Sequence, residues 1–202
     1  MKNMLKDTLI LMIITLFAGL LLGFVYDITK EPIAQQKELA KMAANKEVFA
    51  EAEEFQPYEA FRAEEAAAVL TEAGLQGAEV DEVSVAMKDG NAIGYVITVT
   101  DHEGYGGDIQ FSLGITREGT LNGMSILSIS ETAGLGMRAE EVLKPQFANK
   151  TVDSFTYTKT GATSESQIDA ISGATITTNA VTNGVNAGLI YFQKVLKGGN
   201  GQ

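Results

Sequence analysis

The sequence DAISGATITTNAV, residues 169–181, gathers hydroxyl side chains that could do chemistry together. Ser172, Thr175, Thr177 and Thr178 fall within seven positions, immediately before an apolar pattern of helical period. Serine and threonine oxygens accept hydrogen bonds from the free N–H groups of a first helical turn, so capping is one interpretation. A helix start flanked by small residues also favours a phosphate group, which is the second interpretation. The pattern by itself leaves both open.

The rest of the sequence excludes several chemistries for these hydroxyls. His102 is the single histidine and no G-x-S-x-G sequence occurs, which argues against a nucleophilic triad. Without cysteine there is no thiolate zinc or iron–sulfur site, and one histidine cannot form a histidine metal centre. A Walker loop and a dinucleotide fingerprint are also missing. We therefore expect no catalytic acid–base set and no metal site, so that a bound cofactor must supply any redox chemistry.

Charge and hydropathy predict an anchored, acidic protein. The formal net charge of −11 argues against a nucleic-acid partner. Residues 8–26 carry no charged side chain and would span roughly 28 Å as a helix, which matches a bilayer core. No small-residue cleavage site follows, so we interpret this segment as an uncleaved anchor in membrane lipid. Lys2 and Lys6 precede it and an acidic segment follows, which predicts a cytoplasmic N-terminus and an extracytoplasmic main domain.

Two helices are predicted between the anchor and the first strand. Pro32 suits a first helical position, and residues 33–55 are rich in Ala, Glu, Lys and Gln, which favours a stalk-like helix. Residues 60–73 repeat apolar side chains at helical intervals and predict a second helix. We therefore expect residues 27–80 to form a helical stalk and a connecting helix.

From residue 83 the apolar period changes to two, which predicts four antiparallel strands joined as a meander. A slip in phase between Ile126 and Leu127 indicates a bulge in the fourth strand. A glycine-containing loop then leads into a short helix near Pro145, and a last helix begins near Thr175. The predicted fold class is α+β, with one N-terminal transmembrane helix followed by a small antiparallel sheet packed with helices.

Four stretches, in this order along the chain, resemble the G subunit of the Rnf ion-translocating oxidoreductase complex: LLLGFVYDITKEPI, GYGGDIQFSLGI, SETAGLG and DAISGAT. The last is similar to the flavinylation signature, which reads Asp, two variable positions, Ser or Thr, Gly, Ala, Thr. The C subunit of the sodium-pumping NADH:quinone reductase shares the FMN-binding domain and the signature but is usually longer, and it stays a near alternative. The predicted organisation is therefore a cytoplasmic N-terminus at residues 1–7, a transmembrane helix at 8–26 and, as the resemblance implies, a covalent FMN-binding domain at 81–202.

The resemblance implies that Thr175 carries FMN as a phosphodiester, which a separate flavin transferase makes from FAD. Thr177 and Thr178 stay as alternative attachment points or as capping and packing residues. Asp169 is either recognised by the transferase or caps a loop, and Lys159 faces a flavin edge, the phosphate or solvent. The expected cofactor-binding residues are Tyr105, Glu131, Thr132, Leu135, Gly136, Lys159, Ser172, Gly173, Ala174 and Thr175.

The function implied by the resemblance is electron relay in the cell membrane, within a complex that couples ferredoxin and NAD to sodium or proton translocation. The partners are then the other subunits of the complex and, during maturation, the flavin transferase. A single span offers no hydrophilic path, so ions should cross in other subunits. The alternatives are a quinone-reducing pump, an extracellular electron-transfer chain, or, in a different class, a non-catalytic anchored or pilin-like protein.

Overall fold

The computed structural model describes residues 2–197, beginning with one long helix, α1, Lys2–Val48. The helix passes through Pro32, so the prediction of a new helix beginning there is wrong. Proline removes one intrahelical N–H donor, but the Ala-, Lys- and Glu-rich residues that follow favour a helix and continue it. The predicted end at Phe55 is also wrong. The helix ends at Val48, and the chain then turns so that Phe49 and Ala52 are buried in an apolar cluster.

The described residues divide into two compact units, one ending at Ala40 and the other beginning at Lys41. In the first unit an 18-residue window of α1 has a mean hydropathy of 2.6 with none of its residues buried. A helix of this length and composition is a candidate membrane span, which suggests a membrane protein. Its large apolar side chains are exposed.

The second unit is built on a five-stranded antiparallel sheet with the strands in chain order. The strands are β1 Glu54–Pro57, β2 Ala78–Lys88, β3 Asn91–Asp101, β4 Ile109–Thr116 and β5 Leu121–Ser128. The four predicted strands are confirmed as β2 to β5. β1 is new: it begins inside the predicted helix 33–55, extends to Pro57 and pairs with β2 as a short edge strand.

Two local features interrupt the regular strands, and the second, the bulge in β5, confirms a prediction. Asp89 and Gly90 both have positive φ, +51° and +75°, and form the two-residue turn between β2 and β3. In β5 the pairing passes from Ser128 directly to Ile126, so that Leu127 is the extra residue of a bulge.

Helices and a small second sheet complete this unit. The helices are α2 Ala63–Glu72, α3 Ala139–Val142 and α4 Thr175–Tyr191, with 3-10 turns at Gly136–Arg138 and Lys144–Phe147 and a π-helical turn at Phe192–Leu196. Two three-residue strands, β6 Thr156–Thr158 and β7 Gln167–Asp169, pair in parallel and have no signal in the sequence pattern. The α+β prediction is confirmed.

The two faces of the five-stranded sheet differ. On the inner face α4 packs closely over β3 and β4, because a side chain at Gly184 would lie 2.6 Å from the ring of Phe111. On the outer face the chain following α1 forms a smaller cluster, in which Phe49 packs against Gly94.

Asp101, on the inner face at the end of β3, is a buried carboxyl, and burial raises its pKa to about 6.

Candidate functional site

The first turn of α4 has no side-chain cap, so the capping interpretation of the hydroxyl cluster is wrong. Its first helical hydrogen bond runs from the N–H of Thr178 to the carbonyl of Ala174, at 3.0 Å. The N–H groups of Thr175, Ile176 and Thr177 therefore precede the first intrahelical bond and have no helical acceptor. These three donors, at the positive end of the helix dipole, are available to an anion.

Two of the four hydroxyls are occupied inside the protein. Thr178 is fully buried, donates to the carbonyl of Ala174 at 2.9 Å and accepts the N–H of Ile171 at 3.1 Å. Thr177 is 1 % exposed and donates to Oε2 of Glu131 at 3.0 Å. Both hydroxyls therefore hold the first turn of α4 in place.

Glu131 joins three segments of the chain. It is 9 % exposed, and its Oε1 accepts the N–H of Gly106 at 3.1 Å while its Oε2 accepts the Thr177 hydroxyl. The loop before β4, the loop after β5 and the start of α4 are thereby held together. Both donors are neutral, so among the described side chains this buried carboxylate has no ion-pair partner.

Two glycines are required by this arrangement. A side chain at Gly136 would lie 2.6 Å from both Oε2 of Glu131 and Oγ1 of Thr177, and would break their hydrogen bond. Gly173 has a φ of +79°, and a side chain there would also come within 3.1 Å of Leu135. Close approach explains the first glycine, and backbone conformation explains the second.

These segments enclose a cavity of about 480 Å³. Its lining residues are Tyr105, Glu131, Thr132, Leu135, Gly136, Gly173, Ala174, Thr175, Ile176 and Thr177. Tyr105, Leu135 and Ile176 are 70 %, 41 % and 52 % exposed, so the cavity mouth presents large apolar side chains to solvent. An apolar mouth beside an uncapped helix start fits a ligand that has both a flat apolar ring and a phosphate.

The structure brings together eight of the ten residues predicted from the sequence to bind a cofactor. They are Tyr105, Glu131, Thr132, Leu135, Gly136, Gly173, Ala174 and Thr175. Ser172 and Lys159 are exposed and do not line the cavity. Ile176 was not predicted as a lining residue, although its position one residue after Thr175 could have suggested it.

Asp169 lies outside the cavity and supports a neighbouring loop. Its Oδ1 accepts the N–H of Ala162 at 2.7 Å, and its own N–H donates to Oε1 of Gln146 at 2.7 Å. The side chain is therefore a loop cap, which was one of its two predicted roles, and it stays exposed.

His102 stands in the connection that leads from β3 towards Tyr105. Its Nδ1 lies 2.9 Å from Oδ1 of Asp108, and its Nε2 lies 3.5 Å from Oε2 of Glu79. The hydrogen bond with Asp108 is the main cause that raises the pKa of His102. This exposed cluster braces the loop without entering the cavity.

Two protein-family models match separate parts of the chain. A family model described as the FMN-binding domain matches residues 104–190, and a model of the RnfG N-terminal region matches residues 1–48. The first therefore covers the cavity-forming segments, and the second covers α1.

Relatives that match nearly the whole chain are described as G subunits of ion-translocating oxidoreductase complexes. The G subunit of the Na⁺-translocating ferredoxin:NAD⁺ oxidoreductase complex of Acetobacterium woodii is 32 % identical over 199 residues, covering 97 % of this chain and 95 % of the relative. The G subunit of the ion-translocating oxidoreductase complex of Methanosarcina acetivorans is 28 % identical, covering 94 % and 95 %. The solved structure of Shewanella oneidensis NqrC is 19 % identical with a TM-score of 0.45, covering 55 % of this chain and 57 % of that one.

Proposed function

Because this chain belongs to the family of G subunits of Rnf-type ion-translocating oxidoreductase complexes and contains its FMN-binding domain, we propose that Thr175 carries FMN covalently and that the protein relays electrons in such a complex. The alternatives of a quinone-reducing pump and an extracellular electron-transfer chain are less well supported, since the full-length relatives are described as G subunits of ion-translocating complexes. The same relatives argue against a pilin-like protein.

The observation that carries this proposal is the state of the Thr175 hydroxyl. Thr175 is partly exposed and lines the cavity, and its hydroxyl makes no hydrogen bond with the described residues. Thr177 and Thr178 are buried and occupied, and Ser172 lies outside the cavity. Of the four residues in the cluster, Thr175 is the one that lines the cavity and whose hydroxyl makes no hydrogen bond with the described residues, which supports it as the attachment point.

The surroundings of Thr175 suit a phosphodiester. In the attachment step the threonine oxygen forms a bond to the FMN phosphorus of FAD, the diphosphate bond breaks, AMP leaves and the hydroxyl proton is released. A flavin transferase acting in trans performs this step. The N–H groups of Thr175, Ile176 and Thr177 then stabilise the phosphate charge, and Gly173 leaves room beside it.

The other lining residues position the ring. Leu135, Ile176 and Tyr105 offer an apolar surface to a flat ring, and Glu131 keeps both loops at fixed positions around it. Bound FMN supplies the redox chemistry. The chain's own residues bind and orient it, and a covalent bond prevents its loss by dilution outside the cell.

Membrane anchoring by α1 completes the proposal. The apolar part of α1 spans the bilayer with the N-terminus in the cytoplasm, so that the FMN-binding domain lies on the extracytoplasmic side. A single span has no polar path of its own, and ions cross in other subunits.

The chain has no cysteine, so the variant Ser164→Cys, at an exposed position, can be probed with a membrane-impermeant maleimide in intact cells. Labelling only after lysis would contradict this orientation.

The test of covalent attachment is co-expression of the full chain with a flavin transferase. The denatured protein should fluoresce on a gel, and its intact mass should exceed the polypeptide mass by FMN less one water. Thr175→Ala should lose both signals, while Thr175→Ser should keep them because it retains the hydroxyl. Ser172→Ala is the matched control and should stay labelled. Equal fluorescence of Thr175→Ala and the unmodified sequence would overturn the assignment.

A further inference from the structure

A second cavity lies at the end of β3, between the loop that follows α2 and the middle of α4. Its volume is about 220 Å³. Its lining residues are Gly74, Leu75, Gln76, Gly77, Ala78, Asp101, Glu103 and Asn183. None of these residues lines the cavity proposed for FMN.

Asp101 is the unusual residue of this cavity. It is fully buried, and its Oδ1 accepts the N–H of Glu103 at 2.9 Å. Its Oδ2 is buried without a hydrogen-bond partner among the described residues. Buried carboxylate oxygens are normally paired, because desolvation of an unpaired one costs several kcal/mol by typical values. An oxygen in this state points to a ligand.

Further oxygen atoms surround the same cavity. Glu103 lies against the loop, since a side chain at Gly77 would come within 2.8 Å of its Oε2. Asn183, on α4, contributes an amide whose oxygen makes no hydrogen bond with the described residues. The loop 74–78 also lines the cavity, and its carbonyls at Leu75 and Gly77 already accept the N–H groups of Ala78 and His102. No lysine or arginine of the described part of the chain forms an ion pair with either carboxylate.

We propose that this cavity binds Ca²⁺ through the carboxylates of Asp101 and Glu103, with amide and main-chain oxygens completing the coordination. Hard divalent cations take oxygen ligands, and Ca²⁺ accepts six to eight of them in irregular arrangements. Mg²⁺ demands a near-ideal octahedron and gives up its water reluctantly, which a set drawn from a loop, a strand end and a helix does not favour. A site with only two carboxylates should bind Ca²⁺ weakly, with a dissociation constant on the order of 10⁻⁴ to 10⁻³ M.

Bound Ca²⁺ would join the α2–β2 loop, the end of β3 and α4. These segments meet beside the connection that carries His102 and Tyr105. The ion would pair the oxygen that the fold leaves unpaired and would stabilise the folded chain by mass action. The site does not depend on whether FMN is attached at Thr175.

The experiment uses the full chain in detergent micelles after treatment with EDTA. Equilibrium dialysis should detect one Ca²⁺ per chain that Asp101→Asn abolishes. The thermal unfolding midpoint should rise by roughly 5–10 °C at a Ca²⁺ concentration about 100 times the dissociation constant. Mg²⁺ and Na⁺ at matched ionic strength should produce smaller shifts.

Variants separate this site from the general attraction of an acidic protein for cations. Asp101→Asn keeps the oxygen that accepts the Glu103 N–H, so in EDTA it should unfold at or above the midpoint of the unmodified chain. Glu103→Gln is exposed, leaves folding intact and should weaken binding about tenfold. Asp108→Asn, a carboxylate outside the cavity, is the matched control and should bind normally. Equal Ca²⁺ shifts in all three variants, or no shift in the unmodified chain, would overturn the proposal.

Discussion

Two glutamates in this molecule make similar hydrogen bonds in opposite surroundings. Glu131, at the proposed FMN cavity, is buried and accepts bonds from the Thr177 hydroxyl and the Gly106 N–H. Glu47, in the last turn of α1, accepts a 2.5 Å bond from the Ser125 hydroxyl and pairs with Nζ of Lys144 at 2.6 Å, with its side chain 48 % exposed.

The difference in burial determines how much each carboxylate contributes to the stability of the fold. Removing a buried acceptor leaves its donors unpaired in a place that water cannot reach, which is costly. Removing an exposed partner lets water replace it, which costs little. Glu131 should therefore determine the shape of the cavity, whereas Glu47 should only reinforce the packing of the end of α1 on the sheet.

The largest expected effect comes from Glu131→Ala. This substitution leaves the Gly106 N–H and the Thr177 hydroxyl without an acceptor, and should lower the free energy of unfolding by about 2–4 kcal/mol. Flavin incorporation should fall with it, because three cavity-lining segments lose their common contact. Urea unfolding of the full chain in micelles measures the first effect, and gel fluorescence after co-expression measures the second.

Glu131→Gln is the matched variant for that prediction. Its carbonyl oxygen can accept the Gly106 N–H while its NH₂ group donates to the Thr177 oxygen, so the cost should be below about 1.5 kcal/mol. If Gln and Ala at this position were equally destabilising, hydrogen bonding by Glu131 would not be the reason for its importance.

An intermediate effect is expected from Thr177→Val. The substitution keeps the shape of the side chain but deprives Oε2 of Glu131 of its donor, at a cost of about 1–2 kcal/mol. Thr182→Val is the control on the same helix, because the Thr182 hydroxyl bonds only to the carbonyl of Thr178. That carbonyl can keep its helical N–H partner, so the control should lose less. Equal losses in urea unfolding would contradict the special role of the pair with Glu131.

The smallest effect is expected at Glu47. Burial by itself would raise the pKa of Glu47, but hydrogen bonds from Lys144 and Ser125 and the charge of Lys144 outweigh it, and the pKa is lowered. A lowered carboxyl pKa stabilises the fold at pH above its ordinary value of 4.5, and this stabilisation is lost as the pH falls through the lowered folded value. Because the group is half exposed, we expect less than about 1 kcal/mol.

The measurement for Glu47 is the free energy of unfolding as a function of pH for the unmodified chain and Glu47→Gln. The two should differ at pH 7 and converge in acid, and added salt should reduce the difference at pH 7. A difference that persisted unchanged at low pH would show that packing, and not charge, is responsible.

Several elements were predictable because their signal is local. The alternation of apolar residues predicted β2 to β5, and the single slip between Ile126 and Leu127 predicted the bulge that the pairing shows. Thr175 was the predicted start of the last helix, and α4 begins there. The residues of the proposed FMN site came mainly from family resemblance, and eight of the ten line one cavity.

Other features were not predictable because they depend on distant partners. β1 exists because Phe55 and its neighbours pair with β2, which outweighs the helical preference of the alanine- and glutamate-rich segment around them. Pro32 marks the beginning of many helices, but it can also stand inside one. The orphaned oxygen of Asp101 has no sequence signal, since an aspartate at a strand end is ordinary in a sequence and unusual only when buried.

The sequence by itself determined the anchor-like apolar segment, the period of each main element and the group of hydroxyls at the start of α4, because these depend on neighbouring residues. Only the tertiary structure decided which hydroxyls are occupied and which of the others lies at the cavity. Thr177 and Thr178 are occupied because the fold brings Glu131 and Ile171 to them, while nothing among the described residues is brought to Thr175. Residue types can be read along the chain, but a hydrogen-bond partner 46 positions away is fixed only when the loops pack together.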